Sequence, residues 1–145
     1  MSNKFSILLI IIVSIILLQT LYFKFGEHAE AVHIFSTLGM EPWGRIGLGI
    51  VELIVAITLL IPKTQVIASF VSLGVLAGAI GAHLFTPVGI VVYWDGNSDK
   101  GQLFFMAVLS FVFIIIHLFI FTKRINAALH IITCFATYTQ ITFFP

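Results

Sequence analysis

Four apolar runs, each long enough to cross a lipid bilayer, leave this chain few ways to fold. They cover residues 5–23, 44–61, 65–85 and 102–121. About 20 apolar residues in a helix span a hydrocarbon core of about 30 Å. In lipid every backbone N–H and C=O must pair within its own segment, so runs of this kind become helices. Composition agrees: 60% of the 145 residues are hydrophobic and 9% are charged, with a mean hydropathy of +1.16. A water-soluble surface needs about 25% charge. The expected fold is all-α, an integral membrane four-helix bundle with the lipid bilayer as its main partner.

The connections fit that fold. Lys4 precedes the first run and no small-residue cleavage site follows it, so the run reads as an uncleaved signal anchor. Residues 24–43 are polar and aromatic, and predict a short interfacial helix between the first and second spans, with Trp43 as an anchor. Pro62-Lys63 makes a tight turn, which sends the third span back antiparallel to the second. Asp95-Gly96-Asn97-Ser98-Asp99 is a run of turn formers and marks a loop. Residues 125–145 are apolar but hold Asn126, His130 and Gln140, and are expected to form an interfacial or partly ordered tail.

Charge suggests an orientation. Lys4, Lys63, Lys123 and Arg124 share the side of the termini, where no acid lies; Lys24, Arg45 and Lys100 lie opposite with Glu27, Glu30, Glu41, Asp95 and Asp99. The positive-inside rule then places both termini in the cytoplasm of a plasma (inner) membrane protein. The net charge of +1 and the lack of a basic stripe exclude nucleic acid as a partner. A single cysteine, Cys134, forms no internal disulfide and no C-x-x-C pair, so autonomous thiol chemistry and a cysteine metal framework are excluded.

Among the polar groups, Glu52 is the most informative. A carboxylate at membrane depth faces the bundle interior or a wet cavity, either as part of a site or as a clamp between helices. Arg45 precedes it by two turns on the same face. Lys24, at the end of the first span, can reach inward on its long stem. His83 also falls in the outer half of its span, beside the second helix. The candidate pocket is therefore Lys24, Arg45, Glu52 and His83, with His83 hydrogen-bonding a ligand carbonyl or carrying a proton. A quinone headgroup or a small anion suits such a pocket. Haem does not: His83 and His117 lie near opposite faces, and His117 is expected instead to hydrogen-bond between helices. His28 and His33, five apart, do not stack on one face, so no metal site is expected. Gly74, Gly78 and Gly81 mark a helix-packing face on the third span.

These features resemble the DoxX-like family of small four-span membrane proteins. The resemblance covers residues 5–121. It rests on Tyr22-Phe23-Lys24-Phe25-Gly26, on Leu38-Gly39-Met40, on Gly47-Leu48-Gly49-Ile50-Val51-Glu52-Leu53, and on the glycine-rich third span ending at His83. It implies a four-helix membrane domain over residues 1–124. It also implies either a quinone-binding or redox-accessory membrane subunit with no autonomous catalysis, working with another membrane or redox protein, or a non-catalytic assembly factor for membrane proteins. A homo-oligomer is compatible with both.

Overall fold

The computed structural model describes residues 3–143, with side chains from Lys4 to Lys123 and at Asn126. It holds helices α1 (Asn3–Phe25), α2 (Ala29–Thr37), α3 (Trp43–Leu60), α4 (Gln65–Phe85) and α5 (Gln102–Phe143). Strands β1 (Tyr93–Trp94) and β2 (Asn97–Ser98) lie between α4 and α5. Four helices are long and apolar enough to cross a membrane, and together they form the all-α bundle of a multi-pass membrane protein.

The bundle is a ring. α1 packs against α3 and α5, and α4 packs against α3 and α5. Consecutive spans run up and down, so neighbours around the ring are antiparallel. We call the end where α1 begins the N face and the opposite end the loop face. The buried stripes recur every three or four residues: Ile10, Val13 and Leu17 on α1; Gly49, Glu52, Ala56 and Leu59 on α3; Ala107, Ser110, Ile114 and His117 on α5. This is the spacing of left-handed helix bundles. Large apolar side chains on the outer faces, such as Ile15, Ile54, Ile67, Phe105 and Phe119, are more than half exposed. A membrane rather than water suits that surface.

Close approach at one crossing depends on glycine. A Cβ on Gly49 would stand 3.0 Å from the Phe25 ring, so the missing side chain lets α1 and α3 meet there. The connection expected as a loop contains a small hairpin: Tyr93 pairs with Ser98 and Trp94 with Asn97. Asp95 and Gly96, at φ of 45° and 79°, make its two-residue turn. Such turns need positive φ at both central residues, which Asp-Gly supplies.

Two expectations change. The fourth span was expected over residues 102–121 and the candidate span covers Gln102–Lys123, but the helix that carries it, α5, runs on unbroken to Phe143 where a partly ordered or interfacial tail was expected. At 1.5 Å per residue its length is roughly 63 Å, about twice the hydrocarbon thickness. No proline or glycine interrupts residues 102–143, so nothing in the chain breaks the helix. The tail's expected interfacial setting concerns side chains outside the described residues. Among the described residues Gly74, Gly78 and Gly81 do not pack against another helix either: nothing lies within 4 Å of a Cβ built at Gly74 or Gly78, and at Gly81 only Phe85 comes that close. α4 meets its neighbours instead through Ala68, Ser69, Ser72, Leu76 and His83, so its small-residue face points outward.

Candidate functional site

Two helices bring charges together inside the bundle. Lys24 lies in the last turn of α1, Glu52 near the middle of α3, and Thr20 one turn below Lys24. The bond from Cα to Cβ tilts toward a helix's N-terminus. α1 rises toward the loop face, so Lys24 leans down into the bundle. α3 descends from that face, so Glu52 leans up. The two side chains converge for that reason. Lys24 Nζ donates to Glu52 Oε2 at 2.7 Å, and Thr20 Oγ1 donates to the same oxygen at 2.9 Å. Their side chains are only 12% and 7% exposed, so this ion pair sits largely out of solvent.

Arg45 shares the buried stripe of α3 with Glu52 but has other partners. Its Nε donates to both carboxylate oxygens of Glu41, at 2.9 and 3.0 Å. Nη2 reaches Glu41 Oε1 at 2.7 Å and Glu27 Oε1 at 3.3 Å, and Nη1 donates to the Lys24 carbonyl. The last carbonyls of a helix lack partners inside it and carry partial negative charge. Arg45 therefore caps α1 and ties it to the segments before and after α2. Glu27 and Glu41 read in the sequence as loop acids. Nothing local marked Glu27, 18 residues from Arg45, whereas Glu41, four residues before it, carries the spacing of a local acid–base pair.

His83 is not part of this cluster. Its Nδ1 is 2.7 Å from the Gly89 carbonyl, and its ring meets Phe104 edge-on. Among the described residues no hydrogen bond or ion pair links it to Glu52. Height explains the difference. Glu52 is eight residues from Leu60 and His83 eighteen from Gln65, so they stand about 12 and 27 Å above the α3–α4 turn. Glu52 is thus near mid-height and His83 near the loop face, about 15 Å apart along the axis rather than together in the outer half. His83 ties the end of α4 to the loop that follows it.

A cavity of about 60 Å³ adjoins the ion pair. Thr20, Phe23 and Lys24 line it from α1, Glu30 and Phe35 from α2, and Leu103 from α5. α2 closes it by burying Ala31 and Phe35 against the bundle. The Glu30 carboxyl is held above its ordinary value of 4.5, first by burial and then by the charge of Asp99, with His28 opposing. Asp99 is fixed in place: its carboxylate accepts the backbone N–H groups of Val92, Gly101 and Leu103. The cavity thus presents a cation, a hydroxyl, a carboxyl inclined to keep its proton, and aromatic walls. Thr20 and Glu30 were not singled out by sequence reasoning. The signal available for Thr20 was a hydroxyl one turn from Lys24 on the same face.

A larger groove of about 340 Å³ runs between α3 and α4, lined by residues such as Val51, Ile54, Thr58, Ile67 and Val71. Thr58 and Thr64 spend their hydroxyls on the backbone carbonyls of Ile54 and Thr58. Its wall is therefore apolar. Among the described residues no three His, Cys, Asp or Glu side chains gather to hold a metal ion. Comparison with protein-family models, with curated proteins and with solved structures finds no match for this chain.

Proposed function

We propose that the chain is a DoxX-like membrane subunit that binds a quinone headgroup at the cavity beside Lys24 and Glu52 and serves a redox partner without turning over a substrate alone. The observation that carries this reading is Lys24, buried and paired with Glu52, at the wall of a cavity with aromatic sides. A quinone carbonyl is an acceptor, and the Lys24 ammonium, which has three N–H groups and donates one to Glu52, is a donor beside it. Phe23 and Phe35 offer apolar faces to a ring. The cavity is far smaller than the roughly 300 Å³ or more of sites that enclose a whole ligand. It suits the carbonyl edge of a ring whose remainder lies toward lipid. A small anion would use the same cation. With Lys4, Lys63, Lys123 and Arg124 on or near the N face, that face is cytoplasmic in this reading and the cavity opens toward the other side of an inner membrane.

The test uses full-length protein in mild detergent. Absorption spectra of the oxidised and reduced protein, with extraction and mass spectrometry, are expected to show a stoichiometric quinone. The double variant Lys24→Met/Glu52→Gln removes both charges together, so no uncompensated charge is left buried. It is expected to keep its melting temperature and lose the quinone. Either single charge removal strands the other charge, at about 3–5 kcal/mol. A wild-type protein that carries no quinone and whose melting temperature does not respond to added short-chain quinone overturns the reading.

One observation favours the assembly role as a second reading. Gly74 and Gly78 face outward with open space beside them, as in faces where another membrane helix packs closely.

A further inference from the structure

The N-face half of the bundle is polar in a way the cavity does not use. Ser6 and Ser14 on α1, Ser69 and Ser72 on α4, and Ser110 and His117 on α5 all lie on the inward stripes and are at most 4% exposed. Ser6 Oγ and His117 Nδ1 are 2.7 Å apart, which joins α1 to α5. Ser69 Oγ donates to the Gln65 carbonyl. Among the described residues the other four polar atoms have no partner: Ser14 Oγ, Ser72 Oγ, Ser110 Oγ and His117 Nε2.

Their spacing forms a ladder. Ser110 and His117 are two turns apart on one face of α5, about 10 Å along the axis. Ser14 stands about 12 Å above Ser6 on α1. Ser72 lies about 10 Å above the start of α4, near the level of the Ser6–His117 pair. Three helices thus contribute unpartnered groups between the N face and the middle of the bundle. Leu17, Val55 and Ala56, each at most 3% exposed, pack in the same interior.

A buried polar atom without a partner costs about 1–3 kcal/mol, and folded proteins retain few of them. A serine hydroxyl can turn onto the carbonyl four residues back, as Ser69 does. An imidazole nitrogen cannot. With Nδ1 held by Ser6, His117 Nε2 is directed by the fold itself at whatever occupies the bundle interior. A polar site with two to four such partners is where buried water belongs.

We propose that His117 Nε2 and the hydroxyls of Ser72, Ser110 and Ser14 bind water, forming a hydrated path that reaches into the bundle from the N face. This stands apart from the quinone reading and uses none of its residues.

Two measurements test it on the full chain in lipid vesicles. In a Cys134→Ser background, Ser72→Cys and Ser110→Cys are treated with a small, charged, water-soluble methanethiosulfonate. Thiols in apolar surroundings stay protonated and inert, so these two are expected to react at least about tenfold faster than Leu17→Cys or lipid-facing Ile15→Cys. Rates equal to those of Leu17→Cys overturn the proposal. The second measurement needs no cysteine variant. Water-to-imidazole magnetisation transfer in ¹⁵N-histidine-labelled wild-type protein is expected at the His117 signal, assigned by its loss in His117→Gln. A His117 ring with no transfer from water overturns the proposal, whether or not the cysteine variants fold.

Discussion

Arg45 is the most completely satisfied charge near the loop face, and its partners explain how a guanidinium 2% exposed is tolerated beside the bilayer. Two carboxylates and a helix-end carbonyl leave little of it unpaired. Glu30 is in the opposite position. It lines the cavity with no cation assigned to it, and burial and Asp99 together favour its neutral form. A carboxyl whose value is raised on folding binds its proton more tightly in the folded state. Its stabilising contribution is complete below the ordinary value of 4.5 and is lost as pH rises through the raised one. Melting curves in detergent from that pH upward are expected to show falling stability in the wild type and a flatter profile in Glu30→Gln. An unchanged slope in the variant would assign the dependence to other groups, His28 among them.

At the scale of elements, the α1–α3 crossing sets the height at which Lys24 meets Glu52. Gly49 lies one turn above Glu52 on the same stripe, against the Phe25 ring. Gly49→Leu overfills that contact and is expected to destabilise the protein by about 1–3 kcal/mol. Adding Phe25→Ala makes room for the new side chain and is expected to recover part of the loss. The check is the thermal midpoint of both variants in one detergent. If Gly49→Leu melts with the wild type, the two helices are not held together there. α5 has a different anchor. Asp99 accepts the Gly101 and Leu103 N–H groups just where the helix starts, as a capping carboxylate does.

At the scale of the whole molecule, four helices form a closed ring and leave one small-residue face unused. Partners within the chain come from the inward stripe of α4, not from its glycines. Gly78→Leu is therefore expected to leave the monomer's melting temperature within about 0.5 kcal/mol of the wild type, as surface substitutions do. The same variant is expected to weaken any association through α4. Sedimentation in detergent and co-purification with membrane partners read the second effect. A large loss of monomer stability would mean that the glycine face packs inside the fold.

The number, type and order of the spans were legible in the sequence because each is a local property. A run of apolar residues of bilayer length needs no partner to be recognised, and Pro62 and Asp95-Gly96 mark their turns by backbone chemistry alone. The inward direction of Glu52 was legible too, since a carboxylate at that depth has nowhere else to go, and so was the bonding of His117 between helices. The partners were not. Whether Arg45 meets Glu52 or Glu41, whether His83 meets Glu52 or Gly89, and which face of α4 is covered all depend on axial offset and helix rotation. Those are set by contacts such as Phe25 on Gly49, between residues far apart in the chain. Composition and periodicity fixed a membrane bundle with polar groups inside it. Only the packing of the helices decided that Lys24, Thr20 and Glu52 form one cluster, that His83 stands about 15 Å above Glu52, and that His117 meets Ser6.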